Sequence, residues 1–152
     1  MFGKFRNGWV CVDEYYYNGR EIGMAKTDME YAEELDEFTD KYRNFEIRKG
    51  KKLETIIDPS AASFKTLMKK RAGYKVRNGD NAVKDGIRET ATAMHTKCLL
   101  ISKKCKNLIQ ELEGYVWDEN ENPVKENDHA CDALRYFCKT KRIVKKTLRK
   151  QL

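Results

Sequence analysis

No apolar run in this chain approaches the roughly 18 residues that a membrane-crossing helix needs, and the N-terminus has no apolar signal-peptide core. A helical membrane protein is thereby excluded, and the cytosol is the expected compartment. Paired cysteine ligands are missing too. Cys11, Cys98, Cys105, Cys131 and Cys138 are odd in number and never stand as C-x-x-C, so reduced thiols are expected rather than a disulfide framework. His95 and Cys98 have a ligand-like gap, but no second ligand pair accompanies them to complete a structural zinc site. Internal repeats are absent, and no linker suggests a second domain.

What is present suits one folded domain. The 152 residues are 36% charged and 40% hydrophobic, enough to bury a sizeable core and too apolar for disorder throughout. The net charge of +7 is concentrated at one end. Lys139, Lys141, Arg142, Lys145, Lys146, Arg149 and Lys150 face no acid after residue 138; removing those seven from the 31 basic residues leaves 24, equal to the 24 acids. Residues 1–138 are therefore read as the domain and 139–152 as a basic, helical tail. Ile143, Val144, Thr147 and Leu148 recur in it at helical spacing, giving a surface for DNA, an anionic membrane or a partner, or a solvated extension of the last helix.

Aromatic and β-branched residues fill 9–17, bracketed by Asn7-Gly8 and Asn18-Gly19, which predicts an antiparallel hairpin sheet. Thr27-Asp28-Met29-Glu30 has capping-box spacing, and Met29, Ala32, Leu35, Phe38 and Tyr42 continue it as an amphipathic helix. A short strand over 53–57 stops at Asp58-Pro59-Ser60. Helix is expected over 61–71, extended chain over 74–77, helix over 81–95, strand over 97–102 and helix over 105–117. Residues 118–127 form a polar loop containing Pro123, and a last helix starts near Asp128. Strands followed by alternating strand and helix predict an α/β fold, a mixed sheet with helices on its faces.

Two places in that pattern can carry chemistry. Asp58 stands at the end of a buried strand, where a sheet fixes a carboxylate and a loop edge admits substrate. Its structural alternative is an N-cap with Pro59 at the first helical position. His129 and Asp132, three apart, share one face at a helix start, where their tips can converge on an ion or a phosphate. Asp128 before them suits a cap, and Ala130, Ala133, Leu134 and Phe137 then form a buried stripe. Asp58 with Asp132 would suit Mg²⁺ or Mn²⁺, hard ions that favour oxygen ligands and keep positions open for water and phosphate.

In order along the chain stand Val12-Asp13-Glu14-Tyr15-Tyr16-Tyr17, Thr27-Asp28 with Tyr31-Ala32, Ile56-Ile57-Asp58-Pro59-Ser60, Lys84-Asp85-Gly86-Ile87, Tyr115-Val116-Trp117-Asp118, Asn127-Asp128-His129 and Asp132-Ala133-Leu134-Arg135-Tyr136. This set resembles the C-terminal nuclease domain of phage terminase large subunits. The resemblance implies a ribonuclease H-like mixed sheet flanked by helices, and two-metal cleavage of double-stranded DNA during packaging of a phage or prophage genome. It assigns Asp58 to the carboxylate after the central strand, Asp132 to the late helical carboxylate and His129 to the histidine one turn earlier, which binds metal or handles a proton. Asp128 becomes a cap or secondary ligand. The implied partners are double-stranded DNA, a terminase ATPase module, the small terminase subunit and the portal, with no membrane, in the host cytoplasm.

Two departures qualify the match. The family's first catalytic aspartate lies on a strand upstream of the hairpin, and Met1-Phe2-Gly3 already falls within the second strand. The expectation is therefore a fold truncated at its N-terminal strand and a site lacking its first carboxylate. No G-x-x-x-x-G-K-[ST] occurs, so an ATP site and motor are not expected in this chain. Its alternative reading is a noncatalytic DNA-binding or packaging-assembly module.

Overall fold

A computed structural model of the chain describes residues 1–43, 51–116, 119, 124 and 128–144. It divides into two compact units. The first joins Met1–Tyr16 to Asp80–Leu152, and the second is Tyr17–Gly79.

The first unit opens with strands β1 (Phe2–Phe5) and β2 (Gly8–Cys11), paired antiparallel with Phe5 opposite Gly8. The two-residue turn is Arg6-Asn7, so the Asn-Gly pair sits one place later than hairpin chemistry suggests. Arg6 takes the left-handed conformation at φ 51°. Strand β5 (Leu99–Ile101) lies parallel to β2, with Trp9 opposite Leu99. Gly8 permits that approach. A Cβ there would stand 2.7 Å from the Cys98 carbonyl oxygen.

Helices α4 (Val83–His95), α5 (Lys106–Glu113) and α6 (His129–Lys141) complete this unit. Their apolar stripes bury Ala93, Leu108, Leu134 and Phe137 with Leu99 of the sheet. Phe2 stacks on Phe137 at 3.7 Å, and Trp9 meets the same ring edge-on at 5.1 Å. All five cysteines are free and buried here. Burial, first among several causes, pushes the Cys105, Cys131 and Cys138 thiols up to about 12.

The second unit is an α/β arrangement around two parallel strands. Helix α1 (Gly19–Ile22) starts on Asn18, whose side chain accepts from the Glu21 N–H, so Asn18-Gly19 opens a helix and closes no hairpin. Helix α2 (Asp28–Arg43) carries the expected capping box: Thr27 N–H donates to Glu30 at 2.7 Å and Glu30 N–H to the Thr27 hydroxyl at 3.3 Å. Strand β3 (Leu53–Ile57) runs parallel to β4 (Tyr74–Asn78), with α3 (Ala62–Lys70) crossing between them. Ala32, Ile57, Met68 and Tyr74 make its core.

Several expected elements are shorter than the pattern suggests. β2 ends at Cys11, although Val12 N–H still donates to the Met1 carbonyl at 2.9 Å. The tail does not continue α6 unbroken. Arg142 adopts a left-handed conformation at φ 50° and ends that helix. Lys139 is part of α6, bonded to Glu89 at 3.1 Å, while the Lys141 ammonium lies 5.5 Å from the Trp9 ring centre and Ile143 is buried. Lys145, Lys146, Arg149 and Lys150 lie outside the described residues.

Candidate active site

Asp58 follows the last residue of β3 directly, at the carboxyl end of a parallel pair. Its structural alternative fails on position, because α3 begins at Ala62 with Ala61 as N-cap, three residues beyond Asp58. The carboxylate instead closes a tight turn. Ser60 donates its N–H and its hydroxyl to Asp58 Oδ1, each at 2.7 Å, and Ala61 N–H donates to the Asp58 carbonyl at 3.1 Å. Gly79 N–H bonds the Ile57 carbonyl at 2.8 Å, so the strand end carrying Asp58 is tied to the end of β4.

His129 and Asp132 both lie in the first turn of α6, in the other unit. The structure thus brings these two together on one helix and puts Asp58 on a separate scaffold. The imidazole is exposed. Asp132 is half-open: its side chain retains 39% exposure, and Oδ1 accepts from Arg135 Nε at 3.0 Å and Nη2 at 2.8 Å. Oδ2 takes no hydrogen bond among the described residues. Burial works against the Arg135 charge, but the Asp132 hydrogen bonds and charge outweigh it, holding the guanidinium pKa above its ordinary value.

The start of α6 departs from expectation at two residues. Asp128 occupies the N-cap position, yet its side chain makes no capping hydrogen bond. Glu111, from α5, does that work. Its Oε2 accepts from Ala130 N–H at 2.7 Å and Cys131 N–H at 2.9 Å, while Glu111 itself is 7% exposed. Leu134 and Phe137 of the expected stripe are buried, but Ala133 is exposed, and Cys131 and Arg135 are buried where the stripe did not place them.

Acidic groups dominate the surroundings. Burial first, then the charges of Glu111, Asp128 and Asp132, raise the Cys131 thiol. Tyr115 is raised likewise, by burial and then by Asp132, Cys131 and Asp128. A second buried-end carboxylate supports this corner. Glu14 accepts from the backbone of Asn107 and Leu108 at 2.8 and 3.0 Å, capping α5 as Glu111 caps α6. Glu111, Arg135 and Glu14 are the residues that pattern reading misses. Glu111 does leave a trace, a carboxylate three residues from Leu108 on the buried side of its helix.

The donors on α6 suit a hard divalent cation in kind, an available carboxylate oxygen and an imidazole one turn earlier. Their number is short. Among the described residues, no group of three His, Cys, Asp or Glu converges to hold a metal ion. An ion on α6 therefore needs donors from beyond that helix.

A family model described as the terminase RNaseH-like domain matches residues 4–140. The chain belongs to that terminase family. The match runs from Lys4, within β1, to the penultimate residue of α6, and so spans Asp58, His129 and Asp132. A large terminase from a thermophilic bacteriophage, solved in complex with ADP, superposes with a TM-score of 0.81 at 43% identity over 91% of this chain and 35% of that one. Another crystal form of the same terminase gives 0.82 at 43% identity, over 91% of this chain and 34% of that one. The large terminase subunit of Escherichia phage T5 is 25% identical over 134 residues, covering 82% of this chain and 29% of the relative. This terminase domain thus spans about a third of the length of the proteins it matches. Among its described residues no helix is long and apolar enough to cross a membrane.

Proposed function

We propose that this chain is the nuclease module of a phage DNA-packaging terminase, cutting double-stranded DNA with a divalent cation, Mg²⁺ or Mn²⁺. The observation that carries the reading is the extent of the family match, which includes a strand-end carboxylate and a helical His-x-x-Asp pair in one domain. Asp58, His129 and Asp132 are the proposed ligands. When bound, such ions supply an activated water and a counter-charge for the leaving oxygen. Asp58 contributes a carboxylate held by its Ser60 turn, and Asp132 contributes Oδ2. His129, being exposed, can reach either the ion or a proton on the attacking water.

Lys139, Lys141 and Arg142, with Lys145, Lys146, Arg149 and Lys150 beyond them, are proposed to meet DNA phosphates. The ATPase module, the small terminase subunit and the portal are the proposed protein partners, in the host cytoplasm. A noncatalytic DNA-binding or assembly role is the second reading, favoured by the absence of a three-donor cluster among the described residues. Supercoiled plasmid with Mn²⁺ separates the two. Nicking that disappears in Asp58→Asn and in Asp132→Asn is the expected result; DNA retention without nicking in the unmodified protein would establish the noncatalytic role.

A further inference from the structure

We propose that Arg135 is a positioning residue for Asp132: it holds one carboxylate oxygen from inside the fold so that the other is presented outward to a cation. The inference rests on the proposed metal role of Asp132. Its basis is an unequal pair. Arg135 is 3% exposed, yet its Nε and Nη2 both donate to a carboxylate that remains 39% exposed. An ordinary surface pair three residues apart consists of two mobile side chains and holds nothing in place. Here one partner is enclosed by the fold.

Confinement of Arg135 is visible on each side. Its Cζ lies 4.6 Å from the centre of the Tyr136 ring, and the Tyr136 hydroxyl is itself bonded to Asn81 Oδ1 at 3.1 Å. Beneath the stem lies Gly86 of α4, where an added Cβ would fall 2.6 Å from Arg135 Cγ. The third nitrogen, Nη1, is buried with no hydrogen-bond partner among the described residues. Burying a guanidinium with an unsatisfied nitrogen is unfavourable for folding alone. That cost is intelligible if the group acts on its neighbour. With Nε and Nη2 both on Oδ1, that oxygen is engaged and Oδ2 is the one left to face a cation.

Arg135→Lys tests this cleanly, because it keeps the charge and loses the planar fork. The electrostatic influence on a cation is nearly constant, so a change in affinity reports orientation. Mn²⁺ would be titrated into the full chain while paramagnetic broadening of the His129 and Asp132 amide signals is followed by NMR. Arg135→Lys is expected to need about tenfold more Mn²⁺ for equal broadening, the usual effect of losing a group that orients a ligand. Gly86→Ala, which displaces the arginine stem, should shift the titration in the same direction and decides the matter alone if Arg135→Lys does not fold. A merely structural role would lower the melting temperature without moving the Mn²⁺ midpoint. If folded variants titrate like wild type while Asp132→Asn abolishes broadening, the positioning role is overturned and the metal role stands. Should Asp132→Asn itself titrate like wild type, both are overturned.

Discussion

At the scale of single residues, the start of α6 shows that place in sequence and physical role can separate. Asp128 has the cap position and Glu111 makes the bonds. Glu111→Ala removes acceptors from two buried N–H groups and a negative charge from a helix N-terminus, a loss of about 1–2 kcal/mol. Asp128→Ala removes no capping bond and should change stability by less than about 0.5 kcal/mol. Urea unfolding of both variants checks the contrast, and the reverse order would return the cap to Asp128. The place of Asp58 at a strand end and of His129 and Asp132 on one helix start was legible, because it follows from a strand stop and from helical spacing. Glu111 and Arg135 were not, because what they do depends on a partner or neighbour from another helix: 19 residues separate Glu111 from the Ala130 N–H it accepts, and Gly86 of α4 lies under the Arg135 stem.

At the scale of elements, local signals worked where the bonds they require are local. The capping box of α2 needed nothing remote, and it lies where the pattern puts it. Asn18-Gly19 failed as a hairpin because Asn18 found a nearer use, accepting from Glu21 three residues on. Asn7-Gly8 was misread by one residue because Gly8 is required by β5. Nothing in the hairpin itself reveals that. Gly8→Ala would press a methyl against the Cys98 carbonyl, and overpacking of this kind costs about 1–3 kcal/mol. The loss should be concentrated in β2 and β5. Hydrogen exchange at the Trp9 amide, which donates to Cys98 at 2.8 Å, is expected to accelerate with that at Ser102, which donates to Cys11 at 2.9 Å. Unchanged protection at both would show that the strands tolerate the methyl.

For the whole molecule, the α/β class and the ribonuclease H-like relationship could be read in advance, whereas the division into two units could not. It arises from pairing between distant segments, which no local period encodes. One consequence is a difference in alkaline tolerance. The thiols of Cys105, Cys131 and Cys138 rise from an ordinary 9.0 to about 12 on folding, all in the first unit. Folded values above unfolded ones mean that the stability involved is intact below pH 9 and is lost as pH climbs toward 12. The second unit has no cysteine, and its raised phenol, Tyr31, starts from 10.0. Amide signals of the first unit should therefore weaken first on alkaline titration. Earlier loss of β3 and β4 would contradict the assignment.

The split first unit also bears on the order in which the chain acquires its structure. The Trp9–Leu99 register can form only after a loop of about 90 residues has closed, and that loop contains all of the second unit. β3 and β4 pair across about twenty residues. On a ribosome, the second unit is complete while the hairpin still waits for β5 to be made. Refolding followed by pulsed deuterium labelling should protect the Leu53 and Gly79 amides before the Trp9 and Ser102 amides. The hairpin at the front of the chain is thus synthesised early and seated late, held in reserve until its parallel neighbour emerges.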